Sequence, residues 1–282
     1  MALIDNQVAY YKLDVNGTVA DATGTQSNAR VDGATYTATG KINGGYSFDG
    51  TNDAIDLNFT ASTYINSSAD WSISCWCYAT ALSINRGVWG SLDSSNYGIT
   101  LMHKSATGKF HIWSDGWHDT NINFVINTWY HCVVTYKAST NTISVYINNG
   151  TPYTYVDTWT DSSEELWLGQ MYPTFSNLET FSGTVDEVGV WNKTLSSAEV
   201  TELYNSGDGF QYPYRIESPF KYQHGGTTNA FAADTSISSG EGLCYQHSGS
   251  TYYFSLVDTG DANASPYRIK VSSGTKAIEK YV

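Results

Sequence analysis

The chain has 282 residues, 15% of them aromatic and only 15% charged, with a formal net charge of −13. That length allows one large or two modest domains, each with a real core. The acidic balance excludes the basic patch that a phosphate backbone demands, so nucleic acid is not an expected partner, and no run of 18 apolar residues is present to cross a membrane as a helix.

The start, Met1 to Asp14, carries neither a basic stretch nor an apolar one, which predicts no secretory leader and synthesis in a reducing cytoplasm. Short runs of alternating apolar and polar residues follow: Val8–Leu13, Gly45–Phe48, Ala54–Leu57, Trp71–Tyr78, Gly98–Met102, Phe110–Trp113, Trp129–Tyr136, Thr142–Ile147 and Leu166–Leu168. Turn dipeptides such as Asp32-Gly, Asp49-Gly and Asp115-Gly separate them. Many short strands with regular turns predict an all-β sandwich or jelly roll. Asn148-Asn-Gly150 reads as the turn of a hairpin between Thr142–Ile147 and Tyr153–Tyr155. Cys75 and Cys77 sit two apart on one predicted strand and share a face; with Cys132 and Cys244 they are expected to be free thiols.

The stretch from Thr184 to Gly207 predicts a strand ending near Asn192 and then a short helix. Ser196-Ser-Ala-Glu199 is a capping box, Leu195, Val200, Leu203 and Tyr204 form an apolar stripe, and Gly207 stands where a glycine cap would end about three turns. Beyond it the charge changes. Residues 1–214 hold 21 acidic and 8 basic side chains, whereas residues 215–282 hold 6 of each, so the net charge of −13 belongs to the first part. The chain is therefore divided into residues 1–212 and a small β module at 213–282, joined through the proline-bounded Tyr212–Pro219. Strands are expected there at Gly242–Tyr245, Thr251–Val257, Tyr267–Val271 and Lys276–Val282. The uncharged run 251–257 needs covering by another chain or by Lys276–Val282, which makes 213–282 a candidate anchoring or oligomerisation module.

Six ordered motifs, among them Tyr46–Leu57, Trp71–Trp76, Thr128–Tyr136 and Phe181–Ser196, resemble a laminin-G-like domain of the concanavalin A-like lectin/glucanase superfamily over residues 5–212. The resemblance implies a jelly roll of two curved antiparallel sheets closed by the short helix. It also implies a structural calcium held by Asp186 with Asp14, Asp21 and Asp49; the alternative is that Asp186 caps turn amides without a metal. Strand alternation would send one of Asp186 and Glu187 toward the interior and the other to solvent.

A second candidate site lies in Phe110–Thr120. Trp113, Trp117, His118 and Asp119, with Tyr172 from a neighbouring loop, combine flat apolar faces with orienting polar groups, as sugar recognition requires. Trp89, Tyr97 and Trp159 are further candidates. The competing expectation is that Trp113 packs inward and Trp117 covers a sheet edge. Catalysis is not expected. The superfamily's glucanases carry paired carboxylates on one strand, while Asp161–Glu165 has the wrong spacing and adjacent Asp186 and Glu187 would point apart.

These features are read as a non-catalytic virion surface protein that binds cell-surface polysaccharide, with capsid or tail proteins as partners and a homo-oligomeric state. The 213–282 module faintly resembles short C-terminal modules of bacteriophage virion proteins. The alternatives are a bacterial cell-surface or secreted carbohydrate-binding module and, third, a glycosidase.

Overall fold

The computed structural model describes residues 3–172 and 179–214 and, beyond them, the strand segments named below. The chain divides into two units, Met1–Tyr212 and Pro213–Val282. Unit 1 is a sandwich of two antiparallel sheets. The eight-stranded sheet runs in the order β13 (Tyr153–Val156), β12 (Thr142–Ile147), β11 (Trp129–Lys137), β6 (Trp71–Ala79), β15 (Ser182–Trp191), β4 (Gly45–Asp49) and β3 (Thr35–Thr37), with β1 (Gln7–Tyr11) also on β15. The seven-stranded sheet runs β10 (Trp117–Asn123), β9 (Lys109–Trp113), β8 (Thr100–Lys104), β7 (Arg86–Gly90), β14 (Glu165–Leu168), β5 (Ala54–Thr60) and β2 (Arg30–Asp32).

Alternation builds the core. Trp71, Ile73, Cys75 and Cys77 from β6 and Cys132, Val134 and Tyr136 from β11 face Phe110 and Ile112 from β9 and Leu166 and Leu168 from β14. Cys75, Cys77 and Cys132 are free and buried, with the Cys77 and Cys132 sulfurs 3.7 Å apart across the two strands; the Cys244 side chain lies outside the described residues. In the hairpin between β12 and β13 the positive φ falls on Asn148 and Asn149, at 50° and 55°, instead of on the glycine.

Strands β2, β3, β7 and β10 lie where no alternating run was expected. The Arg-Gly-Val-Trp-Gly of β7 has two glycines, and they serve packing. A Cβ on Gly90 would lie 2.7 Å from the Cα and 2.8 Å from the carbonyl oxygen of Met171, whose chain crosses that face.

The helix α1 (Ser197–Tyr204) starts in the expected capping box: Ser196 Oγ accepts from Glu199 N, and Glu199 Oε2 accepts from Ser196 N at 2.9 Å. At eight residues it is shorter than the three turns expected. Asn205 takes the left-handed conformation at φ 46° and ends it before Gly207, because asparagine tolerates that region better than most residues other than glycine. Tyr204 then stacks on Trp76 of β6, ring centroids 5.8 Å apart, on the side of the sheet away from the core.

In unit 2, Leu243–His247 pairs with Ser250–Phe254, Leu256–Val257 with Arg268–Val271, and the latter with Gly274–Ala277; Lys221–His224 pairs with Thr227–Ala230. The run Thr251–Val257 is thus divided between two partners within the chain, and neither is the segment Lys276–Val282, of which residues 278–282 lie outside the described residues. The linker residues 215–220 also lie outside them.

Candidate functional site

Two clusters carry chemistry in unit 1, one on each sheet. The first forms where β15 loses its alternation. Asp186 pairs with Trp76 of β6, and the next paired residues are Gly189 and Ser74, so β15 holds one residue more than its neighbour. The extra residue is accommodated by Glu187 at φ 51°, a β-bulge. Val185 and Val188 both stay in the core, and Asp186 and Glu187 both turn to the opposite face, 0% and 4% exposed. The expectation that one of them would reach solvent is therefore wrong, and so is the argument that their carboxylates point apart.

Asp14 joins them, with one oxygen of each of the three carboxylates lying within 4.8 Å of the others. Asp186 Oδ2 accepts from Lys41 N at 2.8 Å and Ile42 N at 2.9 Å. Tyr10 Oη donates to Glu187, and Gln211 Nε2 donates to Glu187 and, at 2.7 Å, to Asp14. Burial pushes the Asp186 carboxyl well above the usual carboxylate range, with the neighbouring Glu187 charge adding to the effect. Burial raises Glu187 too, against the hydrogen bonds from Tyr10 and Gln211.

Of the four acidic residues expected around calcium, the fold brings together Asp14 and Asp186 and adds Glu187. Asp21 and Asp49 are elsewhere employed. Asp21 accepts the amides of Tyr10, Thr23, Thr25 and Gln26, and Asp49 accepts those of Thr51 and Asn52, so both organise turns. The Asp14–Asp186–Glu187 donor set fits a hard divalent cation. Ligands on opposite sides of a calcium ion lie roughly 5 Å apart, matching the 4.8 Å span. The wall of the site is tight: a Cβ on Gly40 would meet Asp186 Oδ2 at 2.9 Å.

The second cluster lies on the outer face of β8, β9 and β10. Trp113 and Trp117 are directly opposite across the hairpin, ring centroids 4.8 Å apart and nearly perpendicular. Trp113 is half-buried against Leu92, Met102 and Met171, while Trp117 is 43% exposed. The loop from Asp93 to Tyr97 anchors the group: Trp113 Nε1 donates to Asn96 O at 3.0 Å, and Tyr172 Oη donates to Asn96 Oδ1 at 2.6 Å. Asp93 in turn accepts the amides of Ser95 and Tyr97. Tyr97, 43% exposed, belongs to the same loop. Asp119 stands on the tryptophan side, 3.2 Å from Lys109 Nζ.

His118 does not. Its ring stacks on Tyr155 at 3.8 Å and its Nε2 lies 3.1 Å from Asp157 Oδ2, an oxygen that Ser114 Oγ also reaches at 2.7 Å. Alternation along β10 puts it on the other side of the strand from Trp117 and Asp119. Trp89 and Trp159 also fail as loop contributors, for both are core residues, and Trp159 packs edge-on to Trp71 and Tyr136. Two contributors escape a reading of the sequence, Asn96 and Lys104; Lys104 Nζ lies 3.7 Å from the Trp117 ring centroid. Neither belongs to a motif, and both come from loops or strand ends distant in sequence.

A family profile described as Laminin_G_3, Concanavalin A-like lectin/glucanases superfamily, matches residues 49–201, just over half of the chain. The chain belongs to that superfamily. No curated protein matches this superfamily member in sequence. Among solved structures it is similar to domain 4 of AbnA, a GH43 extracellular arabinanase from Geobacillus stearothermophilus in complex with arabinotriose, with TM-score 0.58 and 21% identity over 70% of this chain and 97% of that one. It is similar also to the binding domain of Paraclostridial Mosquitocidal Protein 1, with TM-score 0.58 and 16% identity over 99% of this chain and 73% of that one. Trypanosoma rangeli sialidase in complex with the inhibitor DANA matches with TM-score 0.55 and 14% identity, and this lectin-type fold spans 33% of its length. At such identities the likeness is one of fold.

Proposed function

We propose that unit 1 is a non-catalytic lectin-like module that binds host or environmental glycans through the Trp113–Trp117–Tyr172 platform. The observation that carries the reading is Trp117, 43% exposed on an edge strand, while the rings beside it are fixed through Asn96. An exposed indole on a rigid support offers the apolar face that a pyranose ring stacks on, without the entropy cost of ordering it. The arabinotriose bound by the similar arabinanase domain supports a saccharide as ligand. The burial of Asp186 and Glu187 under Tyr10 and Gln211 supports a non-catalytic role, since a glycosidase's carboxylates must reach a scissile bond. Replacing Trp117 with Ala should remove binding on a broad glycan array and leave the melting temperature unchanged. A wild-type protein that binds no glycan there refutes the reading.

The Asp14, Asp186 and Glu187 carboxylates are proposed to hold calcium, with Gln211 beside them. The ion would supply positive charge against three crowded carboxylates and so stabilise the fold. Display on a virion surface, through a 213–282 module that attaches to capsid or tail proteins as a homo-oligomer, is the proposed setting. The change from a net charge of −13 over residues 1–214 to zero over 215–282 supports a different partner for the second unit. Deleting residues 213–282 should leave a folded jelly roll that no longer attaches to particles; a truncated protein that still decorates them refutes the anchoring role.

A further inference from the structure

We infer that the saccharide taken at the Trp117 platform is anionic, its acidic group paired with the Lys104 ammonium. The inference rests on the glycan-binding reading above and adds the chemical class of the ligand. Lys104 ends β8 directly opposite Lys109, so two like charges face each other across the ladder. Such a pair is unfavourable unless each charge is compensated.

Lys109 is compensated. Its Nζ lies 3.2 Å from Asp119 Oδ2 and 2.8 Å from Asn121 Oδ1. Lys104 reaches the other way, diagonally over the sheet, and its Nζ rests 3.7 Å from the centroid of Trp117. Among the described residues no carboxylate forms an ion pair with it. Asp115, in the turn that joins the two tryptophans, forms none either.

The charges on this face follow. Lys109 and Asp119 cancel, and burial lowers the proton affinity of His111 beneath Trp117. Lys104 remains as a positive charge on the most exposed tryptophan of a chain whose net charge is −13.

That placement discriminates between ligands. A neutral sugar stacking on the covered face of the indole must displace the ammonium and lose the cation–π contact. A sugar with a carboxylate or sulfate keeps the ammonium where it is. Its ring stacks on the free part of the indole, and its charged group takes a charge-assisted hydrogen bond about twice as strong as a neutral one. The negative field of the rest of the chain opposes any anion held only by long-range attraction, so recognition must be local and weaken with salt.

An array carrying uronate, sialate, sulfated and neutral oligosaccharides tests the class, and its arms separate carboxylated from sulfated sources. The glycans bound should be acidic. Titration calorimetry then compares trigalacturonate with its methyl ester, in which each carboxylate is replaced by a neutral and only slightly larger group. Esterification should weaken binding about tenfold, and added sodium chloride should weaken the acid form while leaving the ester alone. Lys104→Met should bring the acid form down to the ester's affinity with an unchanged melting curve, whereas Trp117→Ala should abolish both.

Neutral glycans bound as well as acidic ones, or an acid-to-ester ratio unchanged in Lys104→Met, would overturn the inference while leaving the lectin reading in place. An array with nothing bound would overturn both.

Discussion

Asp186 and Glu187 are consecutive in the chain, yet both carboxylates face the same side of β15 and converge with Asp14. The bulge that turns Glu187 to φ 51° produces this, and the cost appears as proton affinity. Both groups have folded-state pKa values raised above their unfolded values. The folded protein therefore holds protons that the unfolded chain releases, and without a cation it loses stability as the pH climbs from the usual carboxylate range toward the raised values. Calcium in place of the protons should cancel that loss, so its effect on the melting temperature should grow from pH 5 to pH 8. In chelator, Glu187→Gln should raise the melting temperature at pH 8, since it removes one buried charge, and should abolish the calcium response. Thermal melts over this range with and without calcium decide it; a calcium effect equal at both pH values, or undiminished in Glu187→Gln, contradicts the account.

His131 gives the opposite slope. It is buried on β11 with Nε2 2.9 Å from Ser74 Oγ, and burial pushes its pKa down to about 3. The unfolded chain takes up a proton near pH 6.5, and the folded protein does not. The stability this contributes is complete above that pH and is lost as the pH falls toward about 3. His131→Gln should flatten the decline in the urea midpoint between pH 7 and pH 4. A residual slope should persist from His103 and His111, whose burial also lowers their pKa values. An unaltered slope in the variant would show that acid sensitivity resides elsewhere.

Gly90→Ala should weaken both stability and glycan binding. The added Cβ would meet the Met171 backbone at 2.7–2.8 Å, and backbone cannot rotate out of the way. Overpacking of this kind costs about 1–3 kcal/mol. Met171 shares a cluster with Met102 and Leu92, against which Trp113 and Tyr172 pack, so its displacement should loosen the platform. Chemical denaturation and titration with the array's best ligand check the two effects together; a loss of stability with binding intact would separate the cluster from the site.

The sandwich was legible because its information is local. The alternation in Trp71–Tyr78, Trp129–Tyr136 and Thr142–Ile147 marks strands with one face buried, and the Ser196/Glu199 pair marks a helix start by chemistry confined to four residues. Those signals, with the ordered motifs, were enough to identify the superfamily, and they placed Asp186, Asp14 and the two tryptophans among the candidates.

What the chain did not announce depends on neighbours distant in sequence. A bulge exists only relative to a partner strand, so the shared face of Asp186 and Glu187 was decided when β15 took its register against β6. Asp21 and Asp49 have the right chemistry for calcium, but their oxygens are taken by amides that only the folded loops deliver. Trp89 and Trp159 carry the same indole as Trp117, and the packing of one sheet on the other made them core. His118 and Asp119 are adjacent, and alternation along an edge strand sent them to different partners, Asp157 and Lys109. Lys104 lies 13 residues from Trp117, and two turns of a β-meander brought its ammonium onto that ring. Residue type and local period set which groups were available, and strand register and face decided which of them could meet.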